Sequence, residues 1–295
     1  MIWLIGNKGM LGYEVEELLK KNNLPYTASD QEIDITDFSI LVQYIKDKKI
    51  DWIVNCAAYT AVDKAEEEIE KAYCINRDGA RNISKIASEN QAKLIHISTD
   101  YVFDGKKNKQ SAYTEENQAN PMGIYGKSKL AGEREIINLL DKYFIIRTAW
   151  LYGVNGHNFV YTMLRLFRER EVITVVDDQW GSPTYAADLA EVILKIIETG
   201  SDKFGIYHFT NEGVTNWYHF AREIYDKAKE IEIVNGSRNI EIKPIKTEEY
   251  PKAAIRPQYS VLSKDKVKKE FNLKVRNWHK ALEDFLNILS LRPFQ

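Results

Sequence analysis

Short apolar runs alternate with longer amphipathic segments along the first half of the chain. The runs are apolar throughout, as in strands that are buried on both faces of a parallel sheet. They are Ile2–Ile5, Trp52–Val54, Leu94–Ile97 and Phe144–Ile146. The segments between them have the apolar spacing of helices: Leu11–Lys21, Phe38–Lys48, Tyr73–Asn90 and Ser128–Leu140. Thr36 or Asp37 is the predicted N-cap of the second helix. The alternation predicts βαβ units in an α/β fold with a doubly wound parallel sheet.

The pattern weakens after about residue 150. Val172–Val176 and Ile206–Phe209 predict further strands, Trp217–Lys229 predicts a helix, and the polar segment Glu230–Pro257 is expected to be irregular. We therefore expect two parts. A doubly wound first part covers residues 1–150, and a smaller C-terminal lobe, interleaved with the sheet, covers residues 151–295.

Charge and composition exclude several classes of function. The chain has 41 Lys and Arg against 43 Asp and Glu, a formal net charge of -2, with no basic block typical of a nucleic-acid-binding protein. No run approaches the roughly 20 apolar residues that span a bilayer, and the N-terminal apolar run is too short for a signal peptide. Cys56 and Cys74 are the two cysteines. So few indicate a reducing compartment, and Cys56 is expected to be buried in its apolar run. The expectation is a soluble cytoplasmic protein.

Three glycines follow the first predicted strand and open the first predicted helix. Gly6, Gly9 and Gly12 have the spacing G-x-x-G-x-x-G. The first two would allow a tight turn and a close approach of the backbone to a pyrophosphate, and the third would allow close helix–strand packing. The helix N-terminus adds N–H donors and a positive dipole end. This junction predicts a dinucleotide site, and residues 1–150 a dinucleotide-binding domain.

Asp30 lies about 20 residues after this motif, near the end of the presumed second strand. A carboxylate there can accept hydrogen bonds from ribose hydroxyls and repels a 2′-phosphate, which favours NADH over NADPH. Lys8 would partly offset that repulsion. A turn residue in the loop Ser29–Gln31 is the alternative for Asp30.

Tyr125 and Lys129 form a Y-x-x-x-K pair at the start of a helical pattern. Positions i and i+4 share a helical face, so the phenol and the ammonium can point into one site. A phenol with a pKa near 10 is a poor acid–base catalyst at neutral pH, and a nearby cation is expected to lower that pKa. Thr99 follows a strand-like run and can hydrogen-bond a carbonyl undergoing reduction. Ser98 would point to the opposite face of the strand.

These motifs, in this order, resemble the extended short-chain dehydrogenase/reductase superfamily, with its Rossmann-like fold. Longer runs are similar to one branch, the dTDP-4-dehydrorhamnose reductases. These runs are Val54–Glu66, Ser98–Phe103, Tyr125–Glu133, Arg147–Tyr152, Asp178–Thr184 and Arg256–Ser260. The resemblance covers nearly the whole chain.

The resemblance implies reduction of C4 of dTDP-4-dehydro-L-rhamnose to give dTDP-L-rhamnose, with NADH or NADPH as hydride donor. Tyr125 would supply the proton, Lys129 would tune Tyr125 and hold the ribose, and Thr99 would assist.

The motif glycines and the family positions predict these cofactor contacts: Gly6, Gly9, Met10, Leu11, Gly12, Asp30, Asp34, Ile35, Ala57, Ala58, Tyr59, Thr60, Tyr125 and Lys129. The family positions also predict substrate contacts at Thr99, Asp100 and Trp150. We add Val102, Phe103, Asn158 and Arg256 to the predicted substrate contacts, the last because a guanidinium suits a diphosphate. Core packing for Trp150 and Phe103, and a surface ion pair for Arg256, are the alternatives.

A metal site is not expected. The histidines lack metal-ligand spacing, and His96 is predicted to be a hydrogen-bonded interior group. The run Glu66–Glu68 is interpreted as a solvated helix face. Some members of the family dimerise around magnesium held by glutamates, one of them just before the position of Asp188, where this chain has Ala187. A monomer or a homodimer is expected.

Two other functions stay open. One is a nucleotide-sugar epimerase or dehydratase of the same superfamily, although a dehydratase would carry a carboxylate pair beside Thr99 and here Tyr101 follows Asp100. The other is a non-catalytic regulatory subunit that keeps the fold.

Overall fold

The computed structural model of the protein describes residues 1–107, 111–234, 240–250 and 252–291. Its strands, in chain order, are β1 (Ile2–Ile5), β2 (Tyr26–Ser29), β3 (Trp52–Asn55), β4 (Lys93–Thr99), β5 (Tyr143–Thr148), β6 (Leu151–Tyr152), β7 (Val172–Val176), β8 (Trp180–Gly181), β9 (Thr184–Tyr185), β10 (Gly205–His208), β11 (Thr215–Asn216) and β12 (Glu241–Ile245). Its helices are α1 (Met10–Lys21), α2 (Phe38–Ile45), α3 (Ile69–Tyr73), α4 (Ala80–Glu89), α5 (Ile124–Leu139), α6 (Phe159–Glu169), α7 (Ala186–Glu198), α8 (Trp217–Glu230), α9 (Asp265–Phe271) and α10 (Trp278–Ser290).

Six parallel strands form the central sheet, in the spatial order β10-β5-β4-β3-β1-β2. Alternate strand residues point to opposite faces, and both faces are covered, which explains why the strands are apolar throughout. On one face Leu4 and Val54 pack with α1 and α7. On the other, Trp3 and Ile53 pack with α2, α4 and α5. The doubly wound parallel sheet predicted from the sequence is confirmed.

The chain winds in opposite directions from β1, because β2 lies on one side of β1 and β3 on the other. In such sheets the carboxyl ends of the strands at this reversal leave a crevice between the loops that follow them. Gly6 follows β1 there, and Cys56 follows β3. The topology therefore places the glycine motif at the edge where ligands bind in this class of fold.

One predicted helix cap is confirmed, and one predicted helix belongs to a longer helical stretch. Asp37 is the N-cap of α2 and accepts hydrogen bonds from the backbone N–H groups of Ser39 and Ile40, which confirms one of the two predicted caps. The predicted helix Tyr73–Asn90 is part of a longer helical stretch that begins with α3 and passes through a π-helical segment, Cys74–Gly79, into α4.

The residues after position 150 contribute to two hydrophobic cores. Helices α6, α8 and α10 surround a separate core that includes Tyr152, Phe220 and Phe285. In contrast, α7 covers the central sheet and β10 extends it. The domain boundary at residue 150 stays a prediction.

The segment Glu230–Pro257 is not irregular throughout. It contains β12, which pairs in parallel with β7. The sequence pattern hid this strand because most of its side chains are exposed and it contains Pro244. The expectation for residues 235–239 and 251 lies outside the described residues. Within the described ranges, no helix combines the length and the apolar composition needed to cross a membrane.

Candidate active site

A cleft of about 1060 Å³ opens at the carboxyl ends of the central strands. Most of the predicted site residues line it: Gly6, Gly9, Met10, Leu11, Asp30, Asp34, Ile35, Ala57, Ala58, Thr60, Thr99, Asp100, Tyr125, Lys129 and Trp150. The structure therefore brings the three motifs singled out in the sequence to one cavity.

The glycine turn is built by close approaches of the backbone. Gly6 has φ +80, and a Cβ there would lie 2.8 Å from the backbone nitrogen of Ala57. A Cβ on Gly12 would lie 2.0 Å from the carbonyl oxygen of Gly6, so Gly12 packs the helix against the turn and does not line the cleft. Gly9 is the N-cap of α1, and its first turn has no side-chain cap. Backbone N–H groups at this helix end suit a pyrophosphate, so the residues present fit a dinucleotide.

Asp30 directly follows β2 and lines the cleft, where it can meet a ribose. Lys8 also lines the cleft, and its ammonium pairs with Glu32 at 3.1 Å. Both side chains of this pair are largely exposed, so the pair is weak and leaves Lys8 able to turn to another anion.

Tyr59 does not line the cleft, although Ala58 and Thr60 do. Its backbone N–H donates to Asn76 at 2.8 Å, and its hydroxyl donates to Glu68 at 3.1 Å. Tyr59 therefore fixes the loop after β3. The geometry does not support the predicted contact between Tyr59 and the cofactor.

Tyr125 and Lys129 lie one turn apart on α5, and both side chains reach the cleft. Burial raises the pKa of Tyr125 to about 12, and a hydrogen bond with Thr99 opposes that rise. Burial, and not a nearby cation, dominates the pKa of Tyr125 in this structure, contrary to the expectation. At neutral pH the phenol keeps its proton.

Lys129 is 2% exposed, and its ammonium donates to the carbonyl oxygen of Ile97 at 2.7 Å. Burial lowers its pKa to about 8, while the charge of Glu133 acts in the opposite direction. The imidazole of His96 lies 3.4 Å from the ammonium nitrogen and also contacts Asn55 at 3.0 Å. His96 is thus the hydrogen-bonded interior group that was predicted.

Thr99 and Asp100 stand at the end of β4. The hydroxyl of Thr99 donates to Asp100 at 3.1 Å, whereas the hydroxyl of Ser98 donates to Glu133 at 2.5 Å. The two hydroxyls thus have different partners. Burial raises the pKa of Asp100 to about 6, and its Oδ2 has no hydrogen-bond partner among the described residues. That oxygen is able to accept a hydrogen bond from a ligand.

Trp150 lines the cleft and has φ +49, a left-handed conformation that is rare for a bulky residue. Its ring stacks on Trp217 with centroids 3.6 Å apart and planes at 11°. On Gly181 a Cβ would lie 2.8 Å from the Trp150 ring. Strained residues persist where the surroundings hold them, and here Trp217 and Gly181 hold the Trp150 ring at the wall of the cleft.

Three of the added substrate contacts are not at the cleft. Val102 and Phe103 are 0% exposed, and Phe103 stacks on Tyr113 with centroids 4.2 Å apart, so both belong to a hydrophobic core. Asn158 is the N-cap of α6, accepting from the backbone N–H of Tyr161 at 3.1 Å. These three predictions are corrected: the side chains stabilise the fold.

Arg256 lines a second cavity, of about 520 Å³, together with Met122 and Gln179. Its guanidinium donates twice to Asp63, at 3.0 and 2.8 Å. Arg256 therefore forms an ion pair, as the alternative prediction proposed, and its partner Asp63 is 193 positions away in the sequence. Val62, the neighbour of Asp63, lines the main cleft, so this pair lies close to it.

The structure also corrects the predicted surroundings of Cys56 and Glu66. Cys56 is a free thiol that lines the cleft instead of lying fully in the core, and burial of its sulfur raises its pKa to about 12. Glu66 is not part of a solvated face: it accepts from the backbone N–H of Ile124 at 2.8 Å and so caps the helix that carries Tyr125. In the sequence, the one indication of a role for Glu66 was its position at the end of the family-like run Val54–Glu66.

Among the residues that the structure describes, no group of three or more His, Cys, Asp or Glu side chains is placed to hold a metal ion. The oligomeric state stays a prediction.

Comparison with known proteins agrees with this geometry. The model of the family described as RmlD substrate binding domain matches residues 1–291. The dTDP-4-dehydrorhamnose reductase of Aggregatibacter actinomycetemcomitans is 39% identical over 287 residues, which cover 95% of this chain and 96% of that protein.

Two solved structures are also similar. The dTDP-4-dehydrorhamnose reductase of Clostridium acetobutylicum has a TM-score of 0.91 at 39% identity, covering 98% of this chain and 99% of the other. The Bacillus anthracis enzyme of the same name, in complex with NADP, has a TM-score of 0.90 at 41% identity, covering 97% and 98%. This chain therefore belongs to the dTDP-4-dehydrorhamnose reductase family of NAD(P)H-dependent oxidoreductases.

Proposed function

We propose that this protein reduces the C4 ketone of dTDP-4-dehydro-L-rhamnose to give dTDP-L-rhamnose, with Tyr125 as the proton donor. The observation that carries the proposal is the single cleft that joins the glycine turn to Thr99, Tyr125, Lys129 and Trp150. The nicotinamide of NADH or NADPH, when bound, supplies the hydride.

Tyr125 would donate its proton to the ketone oxygen as that oxygen gains charge. The raised pKa of Tyr125 means that the phenol holds its proton at neutral pH. Thr99 lies beside the phenol, and it would turn its one hydroxyl proton from Asp100 to the ketone oxygen when the substrate binds. Holding both groups in place is worth several orders of magnitude in rate.

Lys129 would stabilise the phenolate that Tyr125 becomes after the proton leaves. Its charge is present below about pH 8, the pKa to which burial lowers it. Its ammonium lies at the cleft wall, where it can also donate to a ribose hydroxyl.

Asp100 and Trp150 would bind the sugar. The unpartnered Oδ2 of Asp100 can accept from a sugar hydroxyl, and the Trp150 ring offers an apolar face held by Trp217. We also assign Arg256 to the diphosphate. Since its guanidinium is already bonded to Asp63, diphosphate binding would require it to share or exchange that partner.

Family membership and the assembled cleft favour a reductase over the two alternatives. A regulatory subunit would not need Thr99, Tyr125 and Lys129 in one cleft. An epimerase or dehydratase would retain its cofactor through a full cycle, whereas a reductase must release it.

The test is to follow the oxidation of NADH and of NADPH with dTDP-4-dehydro-L-rhamnose and to identify the product sugar by NMR. We expect stoichiometric cofactor oxidation and dTDP-L-rhamnose as the product. A folded protein that oxidises neither cofactor, or that releases the C4 epimer, would overturn the proposal.

A further inference from the structure

A third ionisable residue follows Tyr125 and Lys129 on the same face of α5. Glu133 is four positions after Lys129, as Lys129 is four positions after Tyr125. It is 1% exposed, and no step of the reaction uses it. Because burying an unpaired carboxylate is costly, its presence here calls for a physical reason.

Glu133 is held by two strands of the sheet. It accepts from the hydroxyl of Ser98 at 2.5 Å and from Arg147 at 2.9 and 2.6 Å. Ser98 and Arg147 are paired across β4 and β5, directly before Thr99 and Thr148, which both line the cleft. The bidentate geometry fixes the carboxylate in position and orientation.

Other groups near Lys129 do not supply a negative charge. The imidazole of His96, on β4, is kept neutral because burial and the Lys129 charge lower its pKa well below its usual range. The Cys56 thiol, after β3, has a pKa raised to about 12 and is neutral as well. On α5 itself, the Tyr125 phenol keeps its proton. Glu133 is the charged group that opposes the effect of burial on Lys129. The Arg147 guanidinium, on β5, is paired with Glu133 and offsets part of that charge.

We propose that Glu133 is a positioning residue, whose carboxylate, held by Ser98 and Arg147, keeps the Lys129 ammonium charged at the wall of the cleft. The alternative is a bridge that only ties α5 to the sheet. The two differ in the direction of one measurable change. Loss of the Glu133 charge lowers the pKa of Lys129, whereas loosening a bridge would expose Lys129 and raise it.

The test is to titrate Lys129 directly, in protein without substrate. Lysine labelled with ¹³C at the ε carbon gives a resonance for each lysine, and the Lys129 resonance is the one missing in Lys129→Met. In Glu133→Gln we expect the Lys129 midpoint to fall by about one pH unit, as for loss of an opposite charge nearby. An unchanged or raised midpoint would overturn the proposal.

Two further variants keep the test decisive. Glu133→Gln leaves Arg147 buried without its partner and can unfold the protein. The double variant Glu133→Gln with Arg147→Met removes both charges, and its Lys129 midpoint should also fall, by less. A midpoint at the wild-type value in a folded double variant would contradict the proposal. Glu135→Gln makes the same change two positions away on α5, and it should leave the midpoint unchanged.

A consequence for activity rests on the proposed function. The pH above which kcat declines should move down with the Lys129 midpoint in Glu133→Gln, while the KM for the sugar stays the same. The NMR titration does not need substrate, so its outcome is independent of whether the reductase proposal holds.

Discussion

The two sides of the cleft, which we propose for the cofactor and for the sugar, are built differently. On the cofactor side, Gly6 and Gly9 line the cleft with backbone atoms, and Gly12, within the same seven positions, packs α1 against that turn. On the sugar side, Trp150 depends on stacking with Trp217, and Arg256 depends on a carboxylate 193 positions away. A binding site made of closely packed backbone cannot accommodate an added side-chain atom. A binding site made of packed side chains loses affinity in smaller steps as those side chains are shortened.

The largest effect should follow a substitution in the glycine turn. Gly12→Val would place a Cβ 2.0 Å from the Gly6 carbonyl oxygen and displace either the turn or α1. We expect NADPH affinity to fall by about 100-fold or more, since losing hydrogen bonds to the charged pyrophosphate costs about 3 kcal/mol. Fluorescence titration with NADPH measures it. Near-normal binding in Gly12→Val would break the contrast between the two sides.

The two sides meet at Lys129, where activity should depend on pH. Its pKa of about 8 lies below the ordinary lysine value, so the charged form is present below pH 8 and is lost as the pH rises. We expect kcat to be flat up to about pH 8 and then to fall about tenfold per pH unit. Lys129→Arg, which keeps its charge throughout, should abolish this decline. A wild-type rate that stays constant to pH 9.5 would contradict the assignment.

On the sugar side, Trp217→Ala removes the ring that supports Trp150. We expect the KM for the sugar to rise about fivefold, from the order of 1 kcal/mol that an aromatic pair contributes, while NADPH affinity is unchanged. Steady-state kinetics with each reactant varied separates the two. An equal loss of both would show that Trp217 supports the whole cleft and would remove the contrast.

The smallest kinetic effect is expected for Phe103, which packs on Tyr113 in the core. Phe103→Leu should lower the free energy of unfolding by about 1 kcal/mol or more, because it leaves space in a packed core. The KM for the sugar should stay within about twofold of wild type. A large rise in that KM without loss of thermal stability would restore Phe103 as a substrate contact.

The same difference explains what the sequence could predict. Strands β1, β3, β4 and β5 were predictable because they are buried on both faces and carry apolar runs, whereas β12, with mostly exposed side chains, was not. The cleft residues around Gly9 and Tyr125 were predictable because each motif places its groups by local geometry, in a turn or along one helical face.

The corrected residues required tertiary packing to interpret. Phe103 and Asn158 have side chains that suit a sugar site equally well, and only the packing shows one in a core and the other at a helix cap. Glu66, predicted to lie on a solvated face, caps α5, and Glu133, for which the sequence made no such prediction, is buried against Arg147. Such partners are set by long-range contacts that no local pattern contains.

The central claim is that Tyr125 donates the proton for reduction of the C4 ketone. The most direct measurement compares wild type with Tyr125→Phe in single-turnover oxidation of bound NADPH after mixing with dTDP-4-dehydro-L-rhamnose. The account predicts a loss of about 100-fold to 10,000-fold in the rate of that step, the range for removal of a general acid, with NADPH affinity retained. A Tyr125→Phe variant that binds NADPH and reduces the sugar at the wild-type rate would contradict it.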